Sequence, residues 1–213
     1  MSDLDLERQS ALIIVDVQKD FCPGGSLAVP EGDQIVPVIN RLSPKFPLVA
    51  ATKDWHPEDH VSFASNQEGR EPFETIEMYG ETQILWPDHC VKTTKGAEFH
   101  QDLDLTSVHC ILHKGFRTEL DSYSVFFEND KKTPTGLSFF LQGLGIKKVY
   151  LTGLAEDVCV YASAKDARRL DFETFVIRDA VRGVDTPEGS LEEAREDMKN
   201  RGVIYISSQE LET

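Results

Sequence analysis

Short apolar runs separated by helical patterns are the feature that most constrains this sequence. Six runs have the length and composition of buried strands, and they span residues 11–15, 48–51, 110–112, 149–151, 175–177 and 203–206. They are apolar at nearly every position, which is typical of strands covered on both faces. Helical patterns lie between them, at residues 35–42, 135–144, 157–170 and 187–201.

Strands that alternate with helices predict an α/β fold, in which helices cover both faces of a mainly parallel sheet. We therefore expect a single three-layer α/β/α domain over residues 1–213, with a sheet of about six strands. The stretch 55–109 is too long for an ordinary connection and indicates an irregular excursion that serves the functional site. Within it, residues 68–81 are acidic and show no clear period. A solvated surface loop is the expected structure for most of them.

The charge of the chain limits its partners. Asp and Glu number 37 against 22 Lys and Arg, which gives a formal net charge of −15. Such a surface repels phosphate backbones and anionic membranes, so we expect no nucleic acid and no membrane as partner. The acidic segment 1–10 lacks the basic and apolar regions of a signal peptide, which favours a cytoplasmic protein. The sequence leaves the oligomeric state open, a homo-oligomer included.

Side chains that can carry chemistry follow the predicted strands at the point where each strand ends. Asp16 follows the first run, Asp54 and His56 follow the second, Lys114 follows the third and Cys159 follows the fourth. Because ligands bind at the carboxyl ends of parallel strands, we expect these groups to meet at one edge of the sheet. This convergence is the strongest physical argument for a functional site.

Two of these residues have the spacing of metal ligands. Asp54 and His56 are two residues apart, so in extended backbone both side chains point to the same side. That spacing alone is a weak signal. His89 would complete a set of two histidines and one carboxylate, and three protein ligands with open positions are typical of a catalytic metal site. His60 is an additional candidate, although an ordinary loop residue is the better interpretation of it.

One cysteine differs in its position from the others. The chain has four scattered cysteines, which are Cys22, Cys90, Cys110 and Cys159, and in a cytosolic chain they should stay reduced. A small buried apolar residue is the usual interpretation, and it holds for the first three. Cys159 lies two residues after Asp157, the expected N-cap of a helix. Partial positive charge and free N–H groups at a helix start lower a thiol's pKa and can stabilise an oxyanion.

Six longer stretches occur in order between about residue 11 and residue 184. They are VDVQKDFCPGGSL (15–27), TKDWHP (52–57), WPDHCV (86–91), HKG (113–115), DSYS (121–124) and GLAEDVCV (153–160). With these stretches the sequence resembles the nicotinamidase branch of the isochorismatase-like cysteine hydrolases. The resemblance is specific because the acid, lysine, cysteine and metal segments all occur together.

The resemblance implies a set of site residues. It implies a catalytic triad of Asp16, Lys114 and Cys159, and a divalent metal held by Asp54, His56 and His89. The metal is usually zinc, but iron or manganese in some members of the family. For such a site, the oxyanion would be bound by the backbone N–H groups of Ala155 and Cys159. The walls of a flat aromatic pocket would be Phe21, Trp86 and Tyr123, with ordinary core packing as the competing explanation for each.

The resemblance also implies a reaction, the hydrolysis of nicotinamide to nicotinate and ammonia, a step of NAD salvage in which pyrazinamide is the familiar alternative substrate. Two alternatives stay open. Another amidase of the superfamily would act on carbamoyl or ureido compounds, but such enzymes generally lack the metal set. A non-catalytic metal-binding or redox-sensing protein would not need Asp16 or Lys114. Also open are an extra metal ligand, from His60 or a glutamate of residues 68–81, and a cis peptide bond between Leu154 and Ala155.

Overall fold

The computed structural model describes residues 8–211, so both ends of the predicted 1–213 domain and most of segment 1–10 lie outside the described residues. The strands are β1 (Ser10–Val15), β2 (Val49–Asp54), β3 (Thr75–Met78), β4 (Glu81–Ile84), β5 (Cys110–Lys114), β6 (Lys148–Leu154), β7 (Glu173–Arg182) and β8 (Ile204–Ile206). Six of them form one parallel sheet in the order β5-β2-β1-β6-β7-β8. All six apolar runs are therefore confirmed as strands of one parallel sheet.

Helices cover both faces of this sheet. They are α1 (Val36–Leu42), α2 (Leu137–Gly143), α3 (Tyr161–Arg169) and α4 (Ser190–Asn200). Side chains of β1 alternate between two buried clusters because successive residues of a strand point to opposite faces. Leu12 and Ile14 pack in the cluster that contains α1, whereas Ile13 and Val15 pack in the cluster that contains α2, α3 and α4. The three-layer α/β/α fold is confirmed, while the assignment of the chain to one domain stays a prediction.

The helix expected over residues 157–170 is divided into two parts. Glu156–Val160 form a π-helical turn, in which the Val160 N–H donates to the Ala155 carbonyl, and α3 begins only at Tyr161. The predicted N-cap role of Asp157 is wrong. Ala155 occupies the cap position, and the Asp157 carboxylate instead accepts hydrogen bonds from the backbone N–H groups of Val184 and Asp185. These partners lie 27 and 28 residues away, beyond the reach of a local pattern.

The excursion over residues 55–109 contains more regular structure than expected. β3 and β4 pair as an antiparallel hairpin, so the expectation of a surface loop is wrong for Thr75–Met78 and for Glu81. Tyr79 and Gly80 join the two strands with positive φ angles of 54° and 79°, as a tight two-residue hairpin turn requires. Most side chains of this hairpin are at least partly exposed on both faces, which explains why the sequence shows no alternation. Among the described residues, no helix is long and apolar enough to cross a bilayer.

The order of the strands creates a crevice between β1 and β6. From β1 the chain runs outward through β2 to β5, and then returns to the other side of β1 at β6. Ligands of open parallel sheets bind at such a switch point, outside the carboxyl ends of the strands. Gly153 brings the two ends together, because any side chain there would overlap the carbonyl oxygen of Val15. Asp16 and Cys159, which follow β1 and β6, consequently flank this crevice.

Candidate active site

A cavity of about 240 Å³ opens at this edge of the sheet. Eight of the predicted site residues line it, and they are Phe21, Asp54, His56, Trp86, His89, Tyr123, Ala155 and Cys159. The other two, Asp16 and Lys114, are almost completely buried and adjoin Cys159 and Asp54. The structure therefore brings together all ten residues that the sequence singled out.

Lys114 lies at the centre of a buried group of charges. Its ammonium nitrogen Nζ is 2.9 Å from Asp16 Oδ2 and 2.5 Å from Asp54 Oδ1. It also donates a hydrogen bond to the carbonyl oxygen of Ser122 at 2.8 Å, and it lies 3.6 Å from Cys159 Sγ. The ammonium can consequently favour negative charge on either the carboxylate or the sulfur. Asp16, Asp54 and Cys159 each offer an atom within 4.8 Å of the other two.

The environment decides where the protons reside in this group. Burial raises the pKa of Asp16 to about 6, although Lys114 opposes the shift. Burial also raises the pKa of the Cys159 thiol well above its usual value, again with Lys114 in opposition. The expectation that a helix start lowers the pKa of this thiol is therefore wrong, because the effect of burial outweighs the attraction of the lysine. At neutral pH the thiol keeps its proton beside a carboxylate able to take it.

Asp16 is held in place by a residue that the sequence analysis did not single out. Thr52 Oγ1 donates a hydrogen bond to Asp16 Oδ1 at 2.7 Å. Side chains alternate along β2, so Thr52 and Asp54 face the site, whereas Lys53 points away and lies over the ring of Trp55. Asp16 itself has a positive φ of 48°, a conformation that few residues other than glycine tolerate and that occurs at functional sites.

The predicted metal ligands converge on one point. Asp54 Oδ2 is 3.7 Å from His56 Nε2 and 4.0 Å from His89 Nε2. The other ring nitrogen of each histidine, Nδ1, is 2.8 Å from a backbone carbonyl oxygen, that of Gly115 for His56 and that of Pro87 for His89. Such hydrogen bonds assign the proton to Nδ1 and leave the Nε2 lone pair for a metal. The donor set therefore fits a divalent cation.

Burial and charge keep Asp54 and His89 in their metal-binding forms, whereas Asp54 outweighs burial at His56 and raises the pKa of that imidazole. Burial and the neighbouring His56 lower the pKa of His89 to about 4, so its imidazole is neutral at pH 7. Burial alone would raise the pKa of Asp54, but Lys114 and His56 outweigh it and lower that pKa below its usual value. Metal ligands must be deprotonated, as these two are. Gly115 leaves room for the His56 ring, which any side chain at that position would meet.

His60 lies beside this set without belonging to it. Its Nδ1 is 2.7 Å from Ser62 Oγ, and its ring centre is 4.2 Å from that of His56. Its Nε2 is buried and has no hydrogen-bond partner among residues 8–211. His60 instead groups with His56 and Asp121 at distances that could hold an ion. No glutamate of residues 68–81 belongs to a potential metal cluster of the described chain, and the extra ligand stays an open question.

The aromatic side of the cavity is built by hydrogen bonds as well as by packing. The rings of Trp86 and Tyr123 are nearly perpendicular, with centres 6.2 Å apart. The Tyr123 hydroxyl oxygen accepts hydrogen bonds from Trp86 Nε1 at 3.0 Å and from the buried Gln83 Nε2 at 2.9 Å. Phe21 lines the cavity with its ring 5.4 Å from that of His89. All three predicted aromatic residues therefore line the cavity, so core packing alone does not account for them.

Phe73 is a further lining residue that the sequence did not indicate. Its ring is 53% exposed and stands edge-on to Trp86, with centres 6.1 Å apart. Its φ of 73° is unusual for a bulky residue. Because residues 68–81 show no period, only the three-dimensional structure places Phe73 at the cavity. Asp121 also lines the cavity, and although it belongs to a motif quoted above, that motif alone did not assign it a role.

The fold and this site define a class of protein, namely an α/β protein with a buried cysteine, acid and lysine beside a potential metal site. The isochorismatase domain family matches residues 10–210, and the chain belongs to that family.

Two relatives with similar sequences are nicotinamidases. The chain is 47% identical over 201 residues to a nicotinamidase of Acinetobacter baylyi, with 94% of each protein covered. It is 44% identical over 178 residues to a nicotinamidase of Escherichia coli, with 82% of this chain and 83% of the relative covered.

Solved structures agree with these sequence relatives. An Acinetobacter baumannii nicotinamidase/pyrazinamidase has a TM-score of 0.94 and 48% identity, over 96% of this chain and 99% of that one. A yeast nicotinamidase bound to the inhibitor nicotinaldehyde has a TM-score of 0.87 and 30% identity, over 93% and 99%. A Pyrococcus horikoshii pyrazinamidase in complex with zinc has a TM-score of 0.76 and 38% identity, over 93% and 99%.

Proposed function

We propose that this chain is a nicotinamidase, an amidohydrolase that converts nicotinamide to nicotinate and ammonia and that also accepts pyrazinamide. The observation that carries the proposal is the ammonium of Lys114, which lies against Asp16, Asp54 and Cys159 beside a cavity that also has His56 and His89 in its wall. Relatives at 44–47% identity that are nicotinamidases support it. Such an enzyme would serve NAD salvage in the cytoplasm.

In the first half of the reaction, the amide bond is exchanged for a thioester. Asp16 takes the proton of the Cys159 thiol, and the sulfur attacks the carbonyl carbon of the substrate. The backbone N–H groups of Ala155 and Cys159 bind the oxygen that becomes negative. Asp16 then returns its proton to the amide nitrogen, so that the C–N bond breaks and ammonia leaves. Without that proton an amide nitrogen is a poor leaving group.

In the second half of the reaction, water cleaves the thioester with the help of the same residues. Asp16 removes a proton from a water molecule as the water oxygen attacks the thioester carbon. The C–S bond breaks, nicotinate forms, and Cys159 leaves as a thiolate that Lys114 stabilises until the proton returns from Asp16. A carboxyl group with a pKa of about 6 suits both roles, because it gains and loses a proton readily near neutral pH.

Asp54, His56 and His89 would hold the divalent metal, for which we propose Zn²⁺, with Fe²⁺ or Mn²⁺ as the alternatives that the same ligands accept. When bound, the metal supplies a Lewis acid for the pyridine nitrogen, which is mainly a positioning role. Phe21, Trp86 and Tyr123 would enclose the flat ring. The zinc complex of the P. horikoshii pyrazinamidase supports this assignment.

The direct test is ammonia release by the purified protein incubated with nicotinamide. We expect release with nicotinamide and pyrazinamide, and none with a carbamoyl amino acid. The converse pattern would favour an amidase of carbamoyl compounds. A protein that releases ammonia from neither class while it binds metal would be a non-catalytic member.

Metal content provides a second, independent prediction. We expect one divalent ion per chain after dialysis, and we expect either His56→Ala or His89→Ala to lose it, because each variant removes one of three ligands. Elemental analysis measures the loss. His100→Ala is the matched control, and this variant should keep the ion because His100 lies outside the cluster. A fully active preparation without metal would remove the ion from the reaction.

The pH profile tests the role of Asp16. Its carboxyl group must be ionised to take the thiol proton, so activity is present above its pKa and is lost as the pH falls through about 6. Below that pH, kcat/KM should fall about tenfold per pH unit. Steady-state rates between pH 4.5 and 8 measure this, with circular dichroism to show that the fold persists. A flat profile over that range would contradict the assignment of Asp16 as the base.

A further inference from the structure

A buried carboxylate immediately follows the oxyanion residue Ala155. The side chain of Glu156 is only 1% exposed, and both of its oxygens have partners on distant elements. Arg195 of α4 donates from Nε to Oε1 and from Nη2 to Oε2, each at 2.8 Å. The Tyr205 hydroxyl of β8 also lies 3.1 Å from Oε1. Glu156 therefore connects the turn that carries Cys159 to α4 and β8.

The bidentate contact between Arg195 and Glu156 fixes the relative orientation of the two groups as well as the distance between them. A guanidinium that donates through two nitrogens to one carboxylate locks the rotation of both groups, which a single hydrogen bond does not. Isolated burial of a carboxylate is costly, so Glu156 depends on this partner. The hydrogen bonds that Arg195 donates to Glu156 raise the pKa of Arg195 above its usual value. Arg195 consequently stays charged across the working pH range.

The next residue along the chain is anchored to the same part of the protein. The carboxylate of Asp157 accepts the backbone N–H groups of Val184 at 3.0 Å and Asp185 at 2.8 Å, and it lies 3.1 Å from Ser190 Oγ. Two successive side chains thus attach the cysteine turn to the segment between β7 and β8. Asp157 binds the loop that follows β7, and Val184 of that loop lines the cavity. Glu156 binds α4, which lies further along the same segment.

We propose that Arg195, acting through Glu156, is a positioning residue for the reaction, because it sets the orientation of the turn that carries Cys159 Sγ and the two oxyanion N–H groups. The proposal rests on the proposed function, in which Cys159 is the nucleophile. The sulfur must stay close to Asp16 and 3.6 Å from Lys114 Nζ for proton transfer and attack. A misplacement of about 1 Å can cost about 10²-fold in rate. Arg195 itself lines no part of the cavity and should leave substrate affinity unchanged.

The experiment compares four variants on the holoenzyme, all assayed below the lowest melting temperature among them. Arg195→Met should lower kcat for nicotinamide by about 10- to 100-fold with KM within about twofold. Arg195→Lys keeps the charge but not the bidentate geometry, so its kcat should lie between those of Arg195→Met and the unaltered protein. Glu156→Gln should lower kcat in the same way. Arg201→Met is the matched control, since Arg201 follows α4 directly and pairs with Asp197 at 2.7 Å rather than with the cysteine turn.

A second measurement separates positioning from stability and from the identity of the substrate. The rate at which iodoacetamide alkylates Cys159, followed by mass spectrometry, reports the environment of the sulfur without any substrate. Arg195→Met should change that rate at least severalfold, and Arg201→Met should not. Normal kcat and alkylation in folded Arg195→Met, or a rise in KM alone, would overturn the proposal. If Arg195→Met does not fold, Arg195→Lys and Glu156→Gln provide the same comparison. Absence of nicotinamide hydrolysis by the unaltered protein would instead refute the proposed function, while the alkylation rates would still test the positioning role.

Discussion

Cys159→Ala should abolish the release of ammonia from nicotinamide while the protein stays folded. The variant removes the atom that forms the thioester, and loss of a covalent nucleophile typically lowers kcat by about 10⁴-fold or more. The cost in stability should be small, about 1 kcal/mol, because one buried sulfur is lost and Lys114 keeps its contacts with Asp16 and Asp54. Ammonia release and the thermal unfolding midpoint measure the two effects separately.

Cys110→Ala is the matched control for this experiment. Cys110 is also a free cysteine, but it begins β5 at the edge of the sheet and is not among the residues that line the cavity. Its replacement should affect stability only. If Cys159→Ala retained near-normal turnover, the covalent mechanism would be wrong, and a directly activated water would have to replace it.

Benzamide should be a very poor substrate in comparison with nicotinamide. It has the same carboxamide and nearly the same shape, but a carbon replaces the ring nitrogen, so it offers no lone pair to an ion held by Asp54, His56 and His89. A site built around one polar contact rejects an analogue that lacks it by about 10⁴-fold in favourable cases. The ratio of kcat/KM for nicotinamide to that for benzamide measures this discrimination.

Pyrazinamide is the control for ring shape, because it keeps a nitrogen at the required position. We expect its kcat/KM to group with that of nicotinamide, far above that of benzamide. Comparable rates for benzamide would indicate that stacking between Phe21, Trp86 and Tyr123 is sufficient to place the carboxamide at Cys159. The histidines and Asp54 would then have a structural role.

The parts of this fold that the sequence predicts correctly are those that depend on local patterns. The run at residues 11–15 is apolar throughout because β1 lies in the middle of the sheet and both of its faces are covered. The residues after each strand meet at one edge because parallel strands all end on the same side. Two local rules, burial pattern and strand direction, therefore sufficed to place Asp16, Lys114 and Cys159 together.

The remaining features depend on contacts between residues far apart in the chain. Asp157 occupies a position where a local rule predicts a helix cap, but partners at Val184 and Asp185 bind its carboxylate instead. The raised pKa of Cys159 likewise results from burial, which overrides the local effect of a helix start. The sequence does not indicate Phe73, because residues 68–81, in which it lies, are mostly exposed and carry no period. In each case the deciding interaction joins segments whose proximity no local pattern reveals.

The position of β1 at the centre of the sheet also has a consequence for how the protein is made. Its pairing with β6 joins Ser10 to Lys148, so one side of this strand has no partner until 138 further residues have been synthesised. At about 5–20 residues per second, the ribosome needs roughly 7–28 s to pass from Ser10 to Lys148. Throughout that interval the nascent chain has an apolar strand with at least one open edge, a state that is prone to aggregation. We therefore expect fragments that end before β6 to be insoluble on their own and to stay soluble only with chaperones.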